Sequence, residues 1–410
     1  MSSSVWLNIF YLIQIVFLAL GAYYFVISLF AFLPSKKEEK VNGKDSFALI
    51  VAAHNEEVVI QNMVESLKNL NYPKDKYEIF VIADNCTDNT ASIAEEAGAK
   101  VYERFNQTER GKGFALEWMF EKIFNMDRKF DYVAIFDADN LVDKNFLQEI
   151  NKKTRLGEKV VQGYIDSKNP RDSWVSYSYS LSFWMVNKLY QTSRSNLGLS
   201  CQLCGTGFVV HTDTLQQIGW QATCLTEDME FTMRLALKNI KVAWATNAKV
   251  YDEKPISFMQ SWKQRVRWMQ GHADVASRFL LPLTKKAIKE RTIVPLDCGI
   301  YLLQPLRIIT MGFVTVMAWI NMMYPNAHLI VWGLLPQTAF NLFVVAQFLW
   351  GPLVMIVEKR FNRNTILDFF IYSLFSLSWV PIAAVGMAKK NQRDWFHTMH
   401  TQSISITEMQ

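Results

Sequence analysis

The stretch Y-V-A-I-F-D-A-D-N, from Tyr132 to Asn140, is the part of the sequence on which both fold and chemistry depend. Val133–Phe136 is an apolar run typical of a strand that is buried on both faces. The strand exits into Asp137 and Asp139, where a turn of the backbone lets both carboxylates reach one ligand. Two such groups repel each other unless a cation lies nearby, and a hard divalent ion bridging phosphate oxygens is the usual reason for the pair. D-x-D also occurs by chance in solvated loops, so the neighbouring segments decide between the two interpretations.

Strands alternate with helices on both sides of this stretch. Phe47–Ala53 predicts a buried strand that ends close to Glu56, and Glu78–Ala83 predicts a second strand that ends at Asp84. The alternation implies a mostly parallel, doubly wound sheet whose ligands bind beyond the carboxyl ends of the strands. Glu56, Asp84 and Asp137 all follow such ends, so we expect a nucleotide there. Further strands are predicted at Lys100–Arg104, Lys159–Ile165, Gly205–His211 and Lys241–Ala245, and helices at Val58–Leu70, Phe114–Phe124 and Trp174–Tyr190.

Composition narrows the class of protein. The chain has 410 residues, of which 50% are hydrophobic, enough for a domain of roughly 250 residues and additional apolar segments. A net charge of +5 gives no support to nucleic-acid binding. The 5 cysteines show no disulfide framework, which suits a reducing cytoplasm. Cys201 and Cys204 have the spacing of a metal or redox pair, but no second pair completes a zinc site, so we expect a structural role.

Apolar segments at both ends predict a membrane protein. Val5–Leu33 is long enough to span a bilayer at ~20 residues per crossing, and the lysines after Pro34 put the following domain in the cytoplasm. Three later spans would then leave the basic residues after Ala388 outside, against the charge rule, so a re-entrant apolar segment or a split near Pro336 is one solution. The other predicted spans are Ile308–Tyr324, His328–Val357 and Ile366–Ala388, with Leu296–Arg307 along the interface.

Two glycine-containing motifs are candidates for close contact with a ligand. In Arg110-Gly111-Lys112-Gly113 the glycines let the backbone approach a ligand and Lys112 offers a positive charge to a phosphate, although a simple helix start explains the same letters. Cys204-Gly205-Thr206-Gly207 fits either close approach of the backbone to a sugar or a tight turn before a strand.

Two helical motifs carry candidate catalytic groups. Thr226-Glu227-Asp228 starts a helix; Asp228 suits a general base, while an N-cap with acids in the first turn is the structural alternative. In Gln264-Arg265-Val266-Arg267-Trp268, Gln264 and Arg267 lie on one side of a helix. Arginines can hold a departing diphosphate and an indole can stack on a sugar ring. The surrounding Phe258–Leu281 also suits a basic helix at a membrane surface.

These motifs in this order resemble the processive family-two glycosyltransferases, the membrane synthases of cellulose, related β-glucans, hyaluronan and poly-N-acetylglucosamine. The resemblance covers the whole chain and implies an α/β domain of the GT-A (Rossmann-like) type, embedded between transmembrane and interfacial α-helices. The implied parts are a transmembrane helix at 1–34, a cytoplasmic catalytic domain at 35–257, interfacial amphipathic helices with Q-R-V-R-W at 258–307, transmembrane helices at 308–388, and a gating-loop-like segment and tail at 389–410.

The same resemblance implies roles for individual residues. Asp228 is the expected catalytic base and Asp139 the expected ligand of Mg²⁺ or Mn²⁺. Trp395-Phe396-His397-Thr398 resembles the family's gating loop, with Thr398 nearest the diphosphate. The nucleotide-sugar site is expected to comprise Glu56, Asp84, Lys112, Asp137, Gln264, Arg265, Arg267 and Thr398, and the acceptor site Cys204, Gly205, Thr206, Glu227 and Trp268.

The implied activity is inverting, processive transfer from a UDP-sugar to a growing β-linked polysaccharide, with the catalytic domain in the cytoplasm of a multi-pass protein of the cell membrane. UDP-glucose is the first choice of donor, which would give cellulose or a related β-glucan. Poly-N-acetylglucosamine or hyaluronan synthesis is the alternative, as is a non-processive transferase acting on a lipid carrier. A transporter or scaffold with a degenerate nucleotide fold is a different class, which the retained acids oppose.

Overall fold

A computed structural model describes residues 3–34, 44–221, 223–324, 349–361, 365–391, 403–406 and 408. Its centre is one sheet of 8 strands in the order β3-β2-β1-β4-β7-β6-β8-β5. The strands are β1 Phe47–Ala53, β2 Tyr77–Asp84, β3 Lys100–Arg104, β4 Tyr132–Asp137, β5 Leu141–Val142, β6 Val160–Ser167, β7 Phe208–His211 and β8 Val242–Asp252.

The sheet is parallel in one half and mixed in the other. β1 pairs in parallel with β2 and with β4, and β2 pairs in parallel with β3, as the alternation of strands and helices predicts. β7 runs antiparallel to both β4 and β6, while β6 and β8 are again parallel. The prediction of a mostly parallel sheet is therefore wrong for this second half. Apolar periodicity identifies a strand, but the path of the connecting chain decides its direction.

Helices cover both faces of the sheet and extend beyond one of its edges. α1 is Ser3–Leu29, α2 Ile60–Lys68, α3 Thr90–Glu96, α4 Lys112–Asn125, α5 Phe146–Thr154, α6 Trp174–Met185, α7 Ser193–Leu197, α8 Thr212–Ile218, α9 Glu227–Leu237, α10 Phe258–Glu290, α11 Ile293–Leu302, α12 Gln304–Met323, α13 349–357, α14 Thr365–Leu377 and α15 Trp379–Ala388.

Strand β1 shows how the core forms. Ala48 and Ile50 point to the face covered by α4, where they pack with Leu116, whereas Leu49 and Val51 point to the opposite face. All of these side chains are 0% exposed. Because successive residues of a strand alternate between faces, an unbroken apolar run is what a strand covered on both sides requires.

The predicted aromatic helix Trp174–Tyr190 is longer and less regular than its sequence suggests. Ser173 and Ser176 form a capping box at its start, and a π-helical turn at Val186–Thr192 connects α6 to α7. α7 ends at Gly198, whose φ of 69° a residue with a side chain adopts less readily. Single π-helical turns within α-helices often occur at functional sites, and the segment Val186–Thr192 lines the cavity described below.

The apolar helices agree in part with the predicted spans. Val5–Phe32 and Thr365–Ala388 are long and apolar enough to cross a membrane. Ile293–Leu302 and Gln304–Met317, bent by 53° at their junction, form a third candidate if the pair is one broken span or a re-entrant loop. Most of the predicted span His328–Val357, including Pro336, lies outside the described residues.

Candidate active site

A cavity of about 1170 Å³ lies where the sheet meets the apolar helices. One end is formed by the carboxyl ends of β1, β2 and β4, and the other by α1 and α12. Nearly all the described residues that the sequence predicts to be functional line it. They are Glu56, Asp84, Lys112, Asp137, Asp139, Cys204, Gly205, Thr206, Glu227, Asp228, Gln264, Arg267 and Trp268.

At the sheet end, Asp84 is paired in a way that the sequence did not reveal. Arg104 donates to Asp84 Oδ1 at 2.7 Å, and both side chains are buried. The two residues are direct neighbours in the parallel register of β2 and β3. A buried ion pair of this kind fixes the carboxylate in place, so Asp84 presents a defined edge to the cavity. The signal that was overlooked is an arginine at the exit of the adjacent strand.

Lys112 connects the two sides of the cavity. Its ammonium donates to Asp137 Oδ1 at 2.5 Å and to the backbone oxygen of Gly205 at 2.7 Å. Burial by itself would lower the pKa of Lys112. The negative charges of Asp137 and Glu227 outweigh the effect of burial, so the pKa of the lysine is raised. The position of Lys112 at the start of α4, after Gly111 with φ 109°, places a fixed positive charge between the nucleotide end and the C-G-T loop.

The D-A-D loop is held by the C-G-T loop. The backbone N–H of Asp137 donates to Thr206 Oγ1 at 3.1 Å, and the Thr206 hydroxyl in turn donates to Asn140 Oδ1. Thr206 is 3% exposed, so its hydroxyl is committed to this contact. Thr206 therefore positions the carboxylates, whereas the sequence analysis expected it to contact the acceptor.

Asp137 and Asp139 offer the hard carboxylate oxygens that Mg²⁺ and Mn²⁺ prefer. Asp139 is 7% exposed and accepts from the backbone N–H of Glu253 at 3.3 Å. In the part of the chain that the structure describes, no three His, Cys, Asp or Glu side chains are grouped to hold a metal. Mg²⁺ often takes one or two protein carboxylates together with substrate phosphates, so these two residues fit an ion shared with a nucleotide diphosphate.

The C-G-T loop carries a neutral thiol and a close backbone approach. Gln191 Nε2 donates to Cys204 Sγ at 3.4 Å, and burial raises the pKa of Cys204 to about 12. Cys201 and Cys204 are both free thiols. Gly205 has φ +80°, and a Cβ there would lie 3.7 Å from Asp228 Oδ2. The backbone of this loop therefore passes directly beside the predicted base.

Glu227 and Asp228 are adjacent acids at the start of α9. Burial and the charge of Asp228 raise the pKa of Glu227 to about 7, although Lys112 and Arg267 act in the opposite direction. Burial also raises the pKa of Asp228, against the backbone N–H of Met229, which donates to its Oδ1 at 2.7 Å. The pair therefore retains a proton to a higher pH than isolated acids would.

Thr226 occupies the N-cap position of α9 but makes no side-chain capping bond there. Its side chain packs instead against Gly271 of α10. A Cβ added at Gly271 would lie 2.5 Å from both Cγ2 and Oγ1 of Thr226. Met233 of α9 also packs with Val275 of α10. The helix that carries the arginine motif thus sets the position of the two acids.

The Q-R-V-R-W motif divides between two faces of α10. Gln264, Arg267 and Trp268 line the cavity, and Trp268 packs against Tyr179 at a ring-centroid distance of 6.0 Å. Arg265 does not line it. Its guanidinium is 0% exposed and donates to Ser378 Oγ at 2.8 Å.

The predicted contact of Arg265 with a diphosphate is therefore corrected. Residues two apart on a helix point about 200° from one another, so Arg265 and Arg267 cannot both face one ligand. The guanidinium of Arg265 instead lies 4.2 Å from the ring centroid of Phe375. Thr398 and the rest of the proposed gating loop, Trp395–Thr398, lie outside the described residues.

The far end of the cavity contains residues that sequence reasoning missed. Tyr24 of α1 and Arg307 of α12 both line it, with the guanidinium 4.5 Å from the tyrosine ring centroid. Tyr301 packs on both Tyr190 and His272, each at a ring-centroid distance of 5.2 Å. Beyond these groups the lining becomes apolar, with Phe17, Leu18, Phe25, Ile308, Met311 and Trp350.

Known proteins resemble this chain along most of its length. The family described as "Glycosyltransferase like family 2" matches residues 44–271. A probable glycosyltransferase of Bacillus subtilis is 27% identical over 86% of this chain and 84% of its own length. A poly-beta-1,6-N-acetyl-D-glucosamine synthase of Staphylococcus epidermidis is 24% identical, with the same coverage of 86% and 84%. A beta-monoglucosyldiacylglycerol synthase of Nostoc sp. is 29% identical over 58% of this chain and 51% of that protein, so the chain spans about half of it.

A mannosyltransferase from Pyrobaculum calidifontis, solved in complex with GDP-Man and Mn²⁺, shares the fold. The two chains superpose with a TM-score of 0.61, covering 94% of this chain and 99% of the other, at 17% sequence identity. The predicted GT-A-like architecture is thereby confirmed as a mixed α/β fold.

Proposed function

Because the chain belongs to the family described as glycosyltransferase like family 2, and is therefore a sugar-transferring enzyme, we propose that it extends a β-linked polysaccharide from a UDP-sugar at the cytoplasmic face of a membrane. The observation that carries the proposal is the single cavity that contains the strand-end acids, Lys112, the acidic pair of α9 and one face of the Q-R-V-R-W motif. UDP-glucose or UDP-N-acetylglucosamine is the proposed donor.

Asp228 is the proposed general base. The acceptor hydroxyl donates to its carboxylate and loses its proton as the oxygen attacks the anomeric carbon of the donor sugar, so that the bond to the diphosphate breaks and the configuration inverts. Asp228 suits this role because it lies beside the Gly205 backbone in a buried environment, where its raised pKa makes it a better proton acceptor. Glu227 is the adjacent residue, and burial together with the charge of Asp228 raises its pKa as well.

Positive side chains receive the charge that develops on the departing diphosphate. Lys112 and Arg267 reach the cavity from α4 and α10, and Gln264 adds a neutral hydrogen-bonding group on the same face as Arg267. Fixed charges in a site shielded from water stabilise such a transition state more than mobile solvent does. Trp268 offers an aromatic face for the acceptor sugar.

Asp139, with Asp137 nearby, would hold a Mg²⁺ or Mn²⁺ ion together with the nucleotide phosphates. The chemistry that the bound ion supplies is neutralisation of the diphosphate charge. Lys112 forms an ion pair with Asp137, and Thr206 accepts from the backbone N–H of Asp137. The start of α4 and the C-G-T loop would therefore keep the carboxylates oriented toward the donor phosphates.

A second candidate is transfer of one sugar to a lipid hydroxyl. The apolar lining between α1 and α12, including Phe17 and Met311, gives an acyl chain a place to lie. The relative of Nostoc sp. carries the name of a monoglucosyldiacylglycerol synthase. That relationship covers about half of the relative, whereas the poly-N-acetylglucosamine synthase is matched over 84% of its length, and we therefore place the polymer first.

Purified protein in detergent should release UDP from radiolabelled UDP-glucose or UDP-N-acetylglucosamine, with the products sized by gel filtration and digested with linkage-specific hydrolases. A polymer supports the first candidate, and a product of one added sugar on diacylglycerol supports the second. Release of UDP from neither donor, with or without Mn²⁺, would reject the proposed donor class.

Asp228→Asn tests the assignment of the base in the same assay. The amide cannot accept the proton, so we expect kcat to fall by ~10²–10⁴ while UDP binding is retained. Thermal unfolding of the variant is the control for folding, because the Asn side chain can still accept from the backbone N–H of Met229. Turnover at the wild-type rate would contradict the assignment.

A further inference from the structure

Three buried polar groups beside the C-G-T loop have no hydrogen-bond partner in the part of the chain that the structure describes. They are both amide atoms of Gln202, the hydroxyl of Tyr190 and the indole N–H of Trp244. All three residues line the cavity. Leaving a buried polar group unpaired costs about 1–3 kcal/mol, and in native proteins each such group calls for an explanation, such as a ligand or an ordered water.

The backbone of Gln202 is held firmly while its side chain is not. Gln191 Nε2 donates to the Gln202 backbone oxygen at 2.8 Å, and the Gln202 backbone N–H donates to Gln191 Oε1 at 3.0 Å. Gln191 is 0% exposed and Gln202 3% exposed. The terminal torsion of a glutamine has a broad energy profile, so the Gln202 amide can turn its oxygen and nitrogen toward different partners without moving the loop.

The three groups lie close to the reacting end of the cavity. Gln202 precedes Cys204 by two positions, and the loop continues to Gly205, where a Cβ would lie 3.7 Å from Asp228 Oδ2. Tyr190 precedes Gln191, whose amide also donates to Cys204 Sγ at 3.4 Å. Trp244 pairs with Gln162 in the register of β6 and β8, and Gln162 Oε1 accepts from the backbone N–H of Cys204 at 2.9 Å. All three groups therefore adjoin the C-G-T loop, which passes beside the proposed base.

The chemistry of these groups selects among possible acceptors. An amide needs a ligand that both donates and accepts hydrogen bonds, whereas the indole N–H can only donate. Sugar hydroxyls do both, so adjacent hydroxyls of one ring can satisfy the two atoms of Gln202. A phosphate supplies acceptors only, and a diacylglycerol supplies a single hydroxyl donor, whereas a sugar ring carries several hydroxyls.

We propose that Gln202, with Tyr190 and Trp244, forms a subsite that binds the hydroxyl groups of a saccharide acceptor and sets its specificity. The inference rests on the proposed function, and it favours a polysaccharide end over a lipid hydroxyl as the group that attacks the donor. The three residues contact the acceptor and take no part in proton transfer.

Gln202→Leu is the variant that tests this subsite, because leucine fills a similar volume without polar atoms. Binding is measured by calorimetry with cellotetraose, a β-1,6-linked N-acetylglucosamine tetramer and dioctanoylglycerol in micelles. We expect wild-type protein to bind one of the two tetrasaccharides, and Gln202→Leu to bind it roughly tenfold more weakly. Tyr190→Phe should weaken binding of the same tetrasaccharide. The affinity for UDP should stay within twofold of wild type in both variants.

Gln191→Leu is the matched control for stability. It removes an amide whose two ends are both paired, so its apparent Tm should fall, whereas Gln202→Leu should keep the wild-type Tm or exceed it. A Tm loss for Gln202→Leu as large as that for Gln191→Leu would show that the amide is structural and overturn the proposal. Binding of dioctanoylglycerol without either tetrasaccharide, or unchanged tetrasaccharide affinity in Gln202→Leu, would overturn it as well.

The binding measurements are separable from the proposed transferase activity. If neither UDP-sugar is turned over but a tetrasaccharide binds and depends on Gln202, the donor assignment fails and the subsite stands. If UDP is released but no saccharide binds, the transferase stands and the subsite fails.

Discussion

At the scale of single residues, the acidic pair at the start of α9 predicts a pH dependence. Burial and the neighbouring acid raise the pKa of Glu227 to about 7, and the pKa of Asp228 is raised as well. A base must be deprotonated to act, so kcat should rise with pH as this pair loses its protons, at a higher pH than isolated carboxyl groups would require, and then level off.

Glu227→Gln should move this acidic limb to lower pH, because removing the nearby negative charge makes Asp228 easier to ionise. The measurement is the pH profile of UDP release in wild type and variant between pH 5 and 9. A midpoint that stays in place would mean that another group, outside this pair, controls the limb.

The two arginines of the Q-R-V-R-W motif provide a second prediction at this scale. Arg267 lines the cavity whereas Arg265 is buried against Ser378 and Phe375. Arg267→Gln should raise the KM for the donor and lower kcat, on the order of tenfold or more for a lost charge-assisted hydrogen bond, with little change in apparent Tm. Arg265→Gln should lower apparent Tm and leave donor KM near wild type in the protein that remains folded. The reverse pattern would contradict the assignment of the faces.

At the scale of elements, the crossing of α9 and α10 determines where the acids lie. A Cβ at Gly271 would lie 2.5 Å from atoms of Thr226, the residue that precedes the acidic pair. Gly271→Ala must therefore displace the start of α9, and we expect lower kcat together with a lower apparent Tm.

Gly299→Ala is the matched control, since it is also a glycine within a buried helix but its nearest contact would be an ordinary 3.7 Å. Gly299→Ala should change kcat and apparent Tm little, because alanine is more favourable than glycine in a helix by about 1 kcal/mol. Equal kcat in the two alanine variants would show that the crossing does not position Glu227 and Asp228.

At the scale of the whole molecule, a buried ion pair joins α7 to the apolar helices α11 and α1. Arg194 of α7 donates twice to Asp297 of α11, with both contacts at 2.9 Å, and Tyr23 of α1 donates to the same carboxylate at 2.5 Å. The side chains of the pair are 1% and 0% exposed. Three separate parts of the chain therefore meet at one carboxylate.

Removing one partner leaves a buried charge, so Arg194→Met should destabilise the protein by about 3–5 kcal/mol, measured by unfolding in detergent. Arg194→Met combined with Asp297→Leu should recover much of that loss. Arg171→Met is the control: its partner Asp368 also lies at 2.9 Å, but Arg171 is 47% exposed, so a change of about 0–1 kcal/mol is expected. Equal effects of the two single variants would exclude a special role for the buried pair.

Local sequence patterns suffice to predict most of the secondary-structure elements and the kind of site. Strand β1 has the predicted bounds, because its apolar run reflects burial that each residue experiences locally. The bounds of strand β3 are also as predicted, although most of its residues are only partly buried or exposed. The acids that follow β1, β2 and β4 meet in one cavity because parallel strands end at the same edge of a sheet. Family membership follows from motifs whose order along the chain is itself a sequence property.

Which side chains face the cavity depends on long-range packing. Four features depend on neighbours distant in sequence. They are the antiparallel direction of β7, the pairing of Asp84 with Arg104, the burial of Arg265 away from the cavity, and the lack of a partner for the Gln202 amide among the described residues. A local pattern records how often a residue is buried, but it does not record which distant residue buries it. Contacts of that kind are set when the whole chain packs, and the chemistry of the cavity depends on them.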